Sequence, residues 1–110
     1  QPLSARLNGL ADWTQIDWRR IGTTLGLIHV QGFQHADLNA HNLLIGAHDD
    51  VWVIDWDRGV QRSPGNWTDA VLARLERSLR KVYGIRCDQD DAKNAWGSLM
   101  DAHLERLKRG

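Results

Sequence analysis

The chain has 110 residues, 42% apolar and 25% charged, with no formal net charge; that fits one globular domain with a real core and excludes a disordered tail or a collagen-like fibre. No run approaches the roughly 20 apolar residues of a membrane span, and no signal peptide opens the chain. The lone Cys87 excludes an internal disulfide framework and a Cys-based zinc site and points to a reducing compartment.

Residues 1–12 read as a loose opening segment without period, and because the chain starts at Gln1 it reads as cut from something longer. A helix is predicted from Thr14, with Trp18, Ile21, Leu25 and Ile28 as its apolar stripe and Gly32 as its stop. Thr14 and Asp17 resemble a capping box, with Asp in place of the usual Glu or Gln. Residues 33–42 are polar and irregular. Leu43–Ile45 and Val51–Asp55 then read as the strands of a hairpin joined by Gly46-Ala47-His48-Asp49-Asp50. Arg58 to Gly65 is a loop, after which Asn66 caps a second helix with the stripe Leu72, Leu75, Leu79 and Val82, closed by Gly84. Asp88 opens a third helix that carries Trp96, Leu99, His103 and Leu107 on one side. The result is an α+β chain, mainly helical, with one short hairpin and neither repeats nor a linker.

Charge is distributed in blocks. Residues 35–57 carry five aspartates and no Lys or Arg, while residues 58–86 carry seven basic groups against two acidic ones. Solvated surfaces normally intersperse their signs. The acidic block needs cations, and the basic block suits an anionic partner.

The acidic block holds the chemistry. It reads His35-Ala36-Asp37-Leu38-Asn39-Ala40-His41-Asn42, and the second hairpin strand ends at Ile54-Asp55-Trp56-Asp57. Phosphoryl transfer needs a carboxylate at the attacking hydroxyl and oxygen ligands for the metal on the triphosphate. The kinase pattern H-R-D-L-x-x-x-N followed by D-F-G is matched by His35, Asp37, Leu38 and Asn42, then by Asp55 with Trp56 in the Phe position. A hairpin starting at Leu43 would fold back and return Asp55 to Asn42, so that one base and two ligands for a hard cation converge.

The stretches from His35 to Ile45 and from Val51 to Gly59, with Leu72-Ala73-Arg74-Leu75-Glu76-Arg77-Ser78-Leu79-Arg80-Lys81, resemble the bacterial 3-deoxy-D-manno-octulosonic acid (Kdo) kinase family of protein-kinase-like lipopolysaccharide kinases. The resemblance runs from about Trp18 to about Tyr83. It implies that residues 1–110 are the carboxy-terminal lobe of a protein-kinase-like fold. It further implies transfer of the ATP γ-phosphate to a Kdo hydroxyl of a lipid A-linked acceptor, with Asp37 catalytic and Asn42 and Asp55 holding Mg²⁺ and nucleotide. The implied location is the cytoplasmic face of the bacterial inner membrane, in peripheral contact with it. Ala36 replaces an Arg used in regulated protein kinases, Asn39 replaces a Lys common in Ser/Thr kinases, and Asp57 replaces the Gly of D-F-G. Neither a Gly-rich phosphate loop nor a strand Lys is found, so the chain reads as half an enzyme whose amino-terminal lobe is missing.

Other readings compete. Asp37, Asn42 and Asp55 could be ordinary loop-satisfying side chains, and His35 reads as structural, orienting the loop by hydrogen bonds. His41 reads as a loop histidine and Asp57 as second support or substrate contact. Arg74, Arg77 and Lys81 share one helical face, read as solvated surface or as contact with an anionic substrate or membrane. Asn66-Trp67-Thr68 matches a glycosylation pattern that a cytoplasmic chain would never expose to that machinery. Trp13, Trp18 and Trp96 are candidates for packing against the missing lobe. A two-histidine iron site from His35, Asp37 and His103 is disfavoured by a helical context, and the pI near 7.2 leaves no basic footprint for nucleic acid. The remaining rival is a non-catalytic kinase-like fragment that acts by binding.

Overall fold

A computed structural model of the chain describes residues 1–35, 37–54, 60–61, 65 and 67–109. In chain order they form helix α1 (Leu3–Leu7), a 3₁₀ turn (Trp13–Gln15), α2 (Trp18–Val30), β1 (Phe33–Gln34), β2 (Leu43–Ile45), β3 (Val51–Val53), β4 (Val60–Gln61), α3 (Trp67–Tyr83), a second 3₁₀ turn (Gly84–Asp88) and α4 (Asp90–Arg109). The α+β, mainly helical reading holds.

Helix α2 starts four residues later than expected, because two caps divide the labour. Asp12 accepts the Thr14 amide proton and caps the 3₁₀ turn, while Asp17 accepts the Arg20 amide proton and caps α2 itself. At the far end Gly32 takes φ +86°, the left-handed conformation that stops a helix without a Cβ clash. The expected stripe is shifted: Trp18, Ile21 and Leu25 are buried, but Ile28 is half-buried and His29 takes its place inside.

The reason is α4. Gly22 and Gly26 sit one turn apart on the α2 face that meets it. A Cβ on Gly22 would lie 2.1 Å from the Leu99 carbonyl oxygen, and one on Gly26 2.7 Å from the Arg106 Cβ. Side chains larger than hydrogen are excluded there, so the two backbones touch. Helix α4 answers with buried Ala92, Ala95 and Ala102 around Leu99, while the expected stripe members Trp96 and Leu107 are half-buried. His29 Nδ1 and His103 Nε2 lie 2.8 Å apart across the same seam, with the Trp67 ring edge-on to His29. Burial, and secondarily His103, holds the His29 pKa down at about 4, and burial lowers that of His103 too, against the opposing pull of Asp69.

In α3 the residues Leu72, Leu75 and Leu79 are buried as expected, but Val82 is exposed and Trp67, Thr68 and Val71 extend the buried face instead. The proposed cap Asn66 lies outside the described residues. Gly84 takes φ +56° and ends the helix. The third helix begins at Asp90, not Asp88, because a 3₁₀ turn carries the chain around first.

The opening segment is not loose. Leu3 and Leu7 are buried, the Ser4 amide donates to the Ala40 carbonyl at 3.0 Å, and Ile45 donates to the Gln1 carbonyl at 2.7 Å. The apolar pair Leu3 and Leu7, one helical turn apart, is the signal that a search for longer periods misses. Trp13 and Trp18 are likewise inside rather than waiting for another lobe. Their rings stack at 6.1 Å, the Trp18 indole N–H donates to the Trp13 carbonyl at 2.7 Å, and Tyr83 meets Trp13 edge-on at 5.3 Å. Such rings hide more apolar area than any other side chain, so a small core recruits them first. Arg86 covers the outer face of Trp13, 4.8 Å from its centroid, and grips Asp91 with both guanidinium nitrogens at 2.8 and 2.6 Å. Arg86, followed by a Trp13 amide bond, holds the Asp91 carboxyl well below the usual carboxylate range.

Candidate active site

The hairpin forms with Leu43 opposite Val53, Leu44 opposite Trp52 and Ile45 opposite Val51. Gly46 donates to the Asp50 carbonyl at 2.8 Å, and Asp49 turns the chain at φ +62°, a conformation Asp tolerates better than most residues. Leu43 and Ile45 point into the core. The alternation therefore sends Leu44 to the other face and keeps Asn42 at the hairpin mouth.

Residues 35–42 are wound by their own side chains. Asn39 makes an Asx turn, its Oδ1 accepting from the His41 amide at 2.8 Å, while its Nδ2 donates to the Asp37 carbonyl at 3.1 Å. Asn42 closes the turn from the other side. Its Oδ1 accepts from the Asn39 amide at 2.9 Å, and its Nδ2 donates to the Asp37 carbonyl at 2.9 Å. His35, buried, takes the Asp37 amide proton on Nδ1 at 3.0 Å, so the ring proton sits on Nε2 and is donated to the Ile54 carbonyl at 2.7 Å. The Ile54 amide donates to the Asn42 carbonyl at 3.0 Å. The last described residue before Asp55 is thus held from both sides by the loop that carries Asp37. His35 orients the loop, as expected. His41 is bonded to Ser4 through Nδ1 at 2.9 Å, a contact that fits a loop histidine.

Asp37 and Asn42 are therefore brought together, with the Asp37 carboxylate turned outward. Asp55 and Asp57 lie outside the described residues. The chain leaves at Ile54 and returns at β4, which pairs antiparallel with β1 through Phe33–Gln61 and Gln34–Val60. Both ends of the intervening five residues are tied to the segment 33–42, which the sequence had suggested was irregular throughout. The Asn42 Oδ1 accepts one bond, from the Asn39 amide, and an amide oxygen has a second lone pair of the kind that ligates hard cations; among the described residues no His, Cys, Asp or Glu cluster forms a metal site. His35, Asp37 and His103 do not converge as an iron site would need. Both ring nitrogens of His35 are engaged in the loop, and His103 faces His29 across the α2–α4 seam.

Helix α3 braces the loop. Ser78 Oγ accepts the Ala40 amide proton at 3.1 Å, and one turn earlier Arg74 Nη1 donates to Asp37 Oδ1 at 3.3 Å. The cationic face is thereby split: Arg74 belongs to the loop, while Arg77 and Lys81 remain on the exposed surface. Asn39 and Ser78 are the residues that motif matching missed. Asn39 had a local signal, an Asx turn two residues wide; Ser78 had none, because its partner lies 38 positions away.

A cleft of about 180 Å³ lies elsewhere, between Trp13, Trp18, Leu79, Cys87 and Trp96, and no loop residue lines it. Burial pushes the Cys87 thiol up. Among the described residues no helix is long and apolar enough to cross a membrane.

The model of the lipopolysaccharide kinase (Kdo/WaaP) family matches residues 8–103. A 3-deoxy-D-manno-octulosonic acid kinase of Xanthomonas campestris pv. campestris is 40% identical over 109 residues, covering 94% of this chain and 40% of the relative. One from Xylella fastidiosa is 47% identical over 73 residues, 66% of this chain and 29% of the relative. Another, from Xanthomonas euvesicatoria pv. vesicatoria, is 42% identical over 94 residues, 80% and 38% of the two chains. The chain spans well under half the length of each of these relatives.

Proposed function

The chain belongs to the lipopolysaccharide kinase (Kdo/WaaP) family, and from that premise we propose that the protein phosphorylates a hydroxyl of a Kdo-containing lipid A-type acceptor with ATP. Residues 1–110 would form the carboxy-terminal lobe of a kinase-like fold, working at the cytoplasmic face of the inner membrane in peripheral contact with it. The observation that carries this reading is the bonded circuit His35–Asp37–Asn42–Ile54, which ties the outward Asp37 carboxylate to the strand end just before Asp55.

Asp37 orients the acceptor hydroxyl and takes its proton as the hydroxyl oxygen attacks the γ-phosphorus. The bond from that phosphorus to the bridging oxygen breaks, and ADP leaves. Asn42 and Asp55 would hold Mg²⁺, which when bound neutralises charge on the triphosphate. The loop hydrogen bonds fix Asp37 before substrate arrives, so less ordering is needed at the moment of reaction. Exposed Trp52 in β3 and Ile54 just past its end suit contact with a second lobe that covers the nucleotide.

The two aspartates should separate in the full-length protein. Asp55→Ala should weaken Mg²⁺-dependent nucleotide binding and abolish transfer, because a metal ligand acts in the ground state. Asp37→Ala should abolish transfer while leaving MgATP affinity nearly intact, because its contribution comes mainly in the transition state. Wild-type transfer by both variants would overturn the assignment. Residues 1–110 alone should turn over little or no ATP, since their sequence holds neither a Gly-rich phosphate loop nor a strand Lys.

A further inference from the structure

Arg74 is held beside Asp37 by the turn of α3 that Ser78 fixes to Ala40. Yet its bond to Asp37 is a poor use of a guanidinium. A carboxylate ordinarily takes two of the five N–H donors at about 2.7–2.9 Å, whereas here one nitrogen makes one bond of 3.3 Å. Both side chains stay open, Arg74 at 51% and Asp37 at 66% exposure. An ion pair that long and that exposed contributes little to stability. Most of the guanidinium fork is unengaged among the described residues, immediately next to the carboxylate assigned to the acceptor hydroxyl.

Two further cations follow on the same helix. Arg77 and Lys81 are exposed and have no ion-pair partner among the described residues. They extend a positive field away from Asp37 along α3, of the kind that draws an anionic substrate in and orients it.

The geometry points to Arg74 as the acceptor-recognition residue: its guanidinium takes the carboxylate of an acidic sugar while Asp37 takes a hydroxyl of the same ring. This rests on the proposed role of Asp37. The adjacency of the two side chains requires the anion and the reacting hydroxyl to lie within a sugar ring's breadth of each other. A planar carboxylate suits the fork better than any neutral substituent could.

The test uses the full-length protein, a Kdo-terminated acceptor and the methyl ester of its carboxylate. In the wild type, esterification should cost about tenfold or more in kcat/KM, chiefly through KM, the range of a lost charge-assisted pair. Arg74→Met keeps the alkyl stem, so it should bring the free acid down to the level of the ester and erase the discrimination, with the KM for MgATP within about twofold of wild type. Arg74→Lys should discriminate to an intermediate degree, because it restores charge without the fork; it also carries the test if Arg74→Met fails to fold. Equal losses on acid and ester, or full discrimination by Arg74→Met or Arg74→Lys, would overturn the inference. Asp37→Ala separates the two levels. If it is inactive on both acceptors while discrimination survives at position 74, the recognition role alone fails; if it transfers normally, the site assignment itself fails.

Discussion

The α2–α4 pair and the loop from His35 to Asn42 are built by opposite means. The helices meet through absent side chains: Gly22 and Gly26 let backbone touch backbone, and alanines fill the rest. The loop is held by polar side chains that stand in for missing regular structure, with Asn39, Asn42 and His35 bonding main chain within a few residues. The first arrangement tolerates no added volume and carries no chemistry. The second leaves a carboxylate exposed and fixes the backbone that carries it. With the proposed role of Asp37, stability and function fall to different regions, and substitutions should divide along that line.

The largest effect on stability should come from breaking the helix seam. Gly22→Val puts atoms where the Leu99 carbonyl already lies and should cost about 3 kcal/mol or more. Urea denaturation would measure it, and a midpoint near wild type would mean that the helices can separate freely.

Acid should attack the same seam next. The folded-state pKa of His29 lies at about 4, below the ordinary imidazole value of 6.5. The native state then binds fewer protons than the unfolded one between those values. The stabilisation is fully present above about pH 6.5 and is lost as pH falls toward 4, by about 3 kcal/mol in all. His29→Gln should flatten that slope in denaturation curves recorded across the window. An unchanged slope would place the titration elsewhere.

The loop should respond in the reverse proportion. Asn39→Ala removes hydrogen bonds at a partly exposed turn and should cost only about 1 kcal/mol, yet lower transfer by the full-length protein about a hundredfold by loosening Asp37. If stability and turnover fell together, the two regions would not be separable. The smallest effect is expected at Val82, a predicted core position that proves exposed. Val82→Lys should stay within about 0.5 kcal/mol of wild type, and a larger loss would restore it to the core.

What could be read in advance follows from range. The hairpin, the stop at Gly32 and the burial of Leu72, Leu75 and Leu79 are all local consequences of periodicity and turn chemistry. The kinase-type loop was legible for the same reason, since its residues hold one another within a span of eight. Helix starts shifted by two to four residues where a 3₁₀ turn intervened, because capping residues compete and only packing chooses between them. Helix α1 and the β1–β4 pair escaped notice, each being too short to show a period without its distant partner.

The sequence by itself determined the pattern on which the proposed chemistry rests: an Asp and an Asn at fixed spacing before a hairpin, a second Asp at its end, and glycines where the backbone must turn. Tertiary structure alone decided which glycines were for turning and which for contact, since Gly22 and Gly32 look alike until α4 is in place. It also decided that Trp13 and Trp18 are core, that His29 and His103 meet in the dry seam, and that Arg74 leaves its neighbours on the cationic face to stand beside Asp37. Each of these depends on a partner tens of residues away, and no local pattern encodes which distant surface a side chain will face.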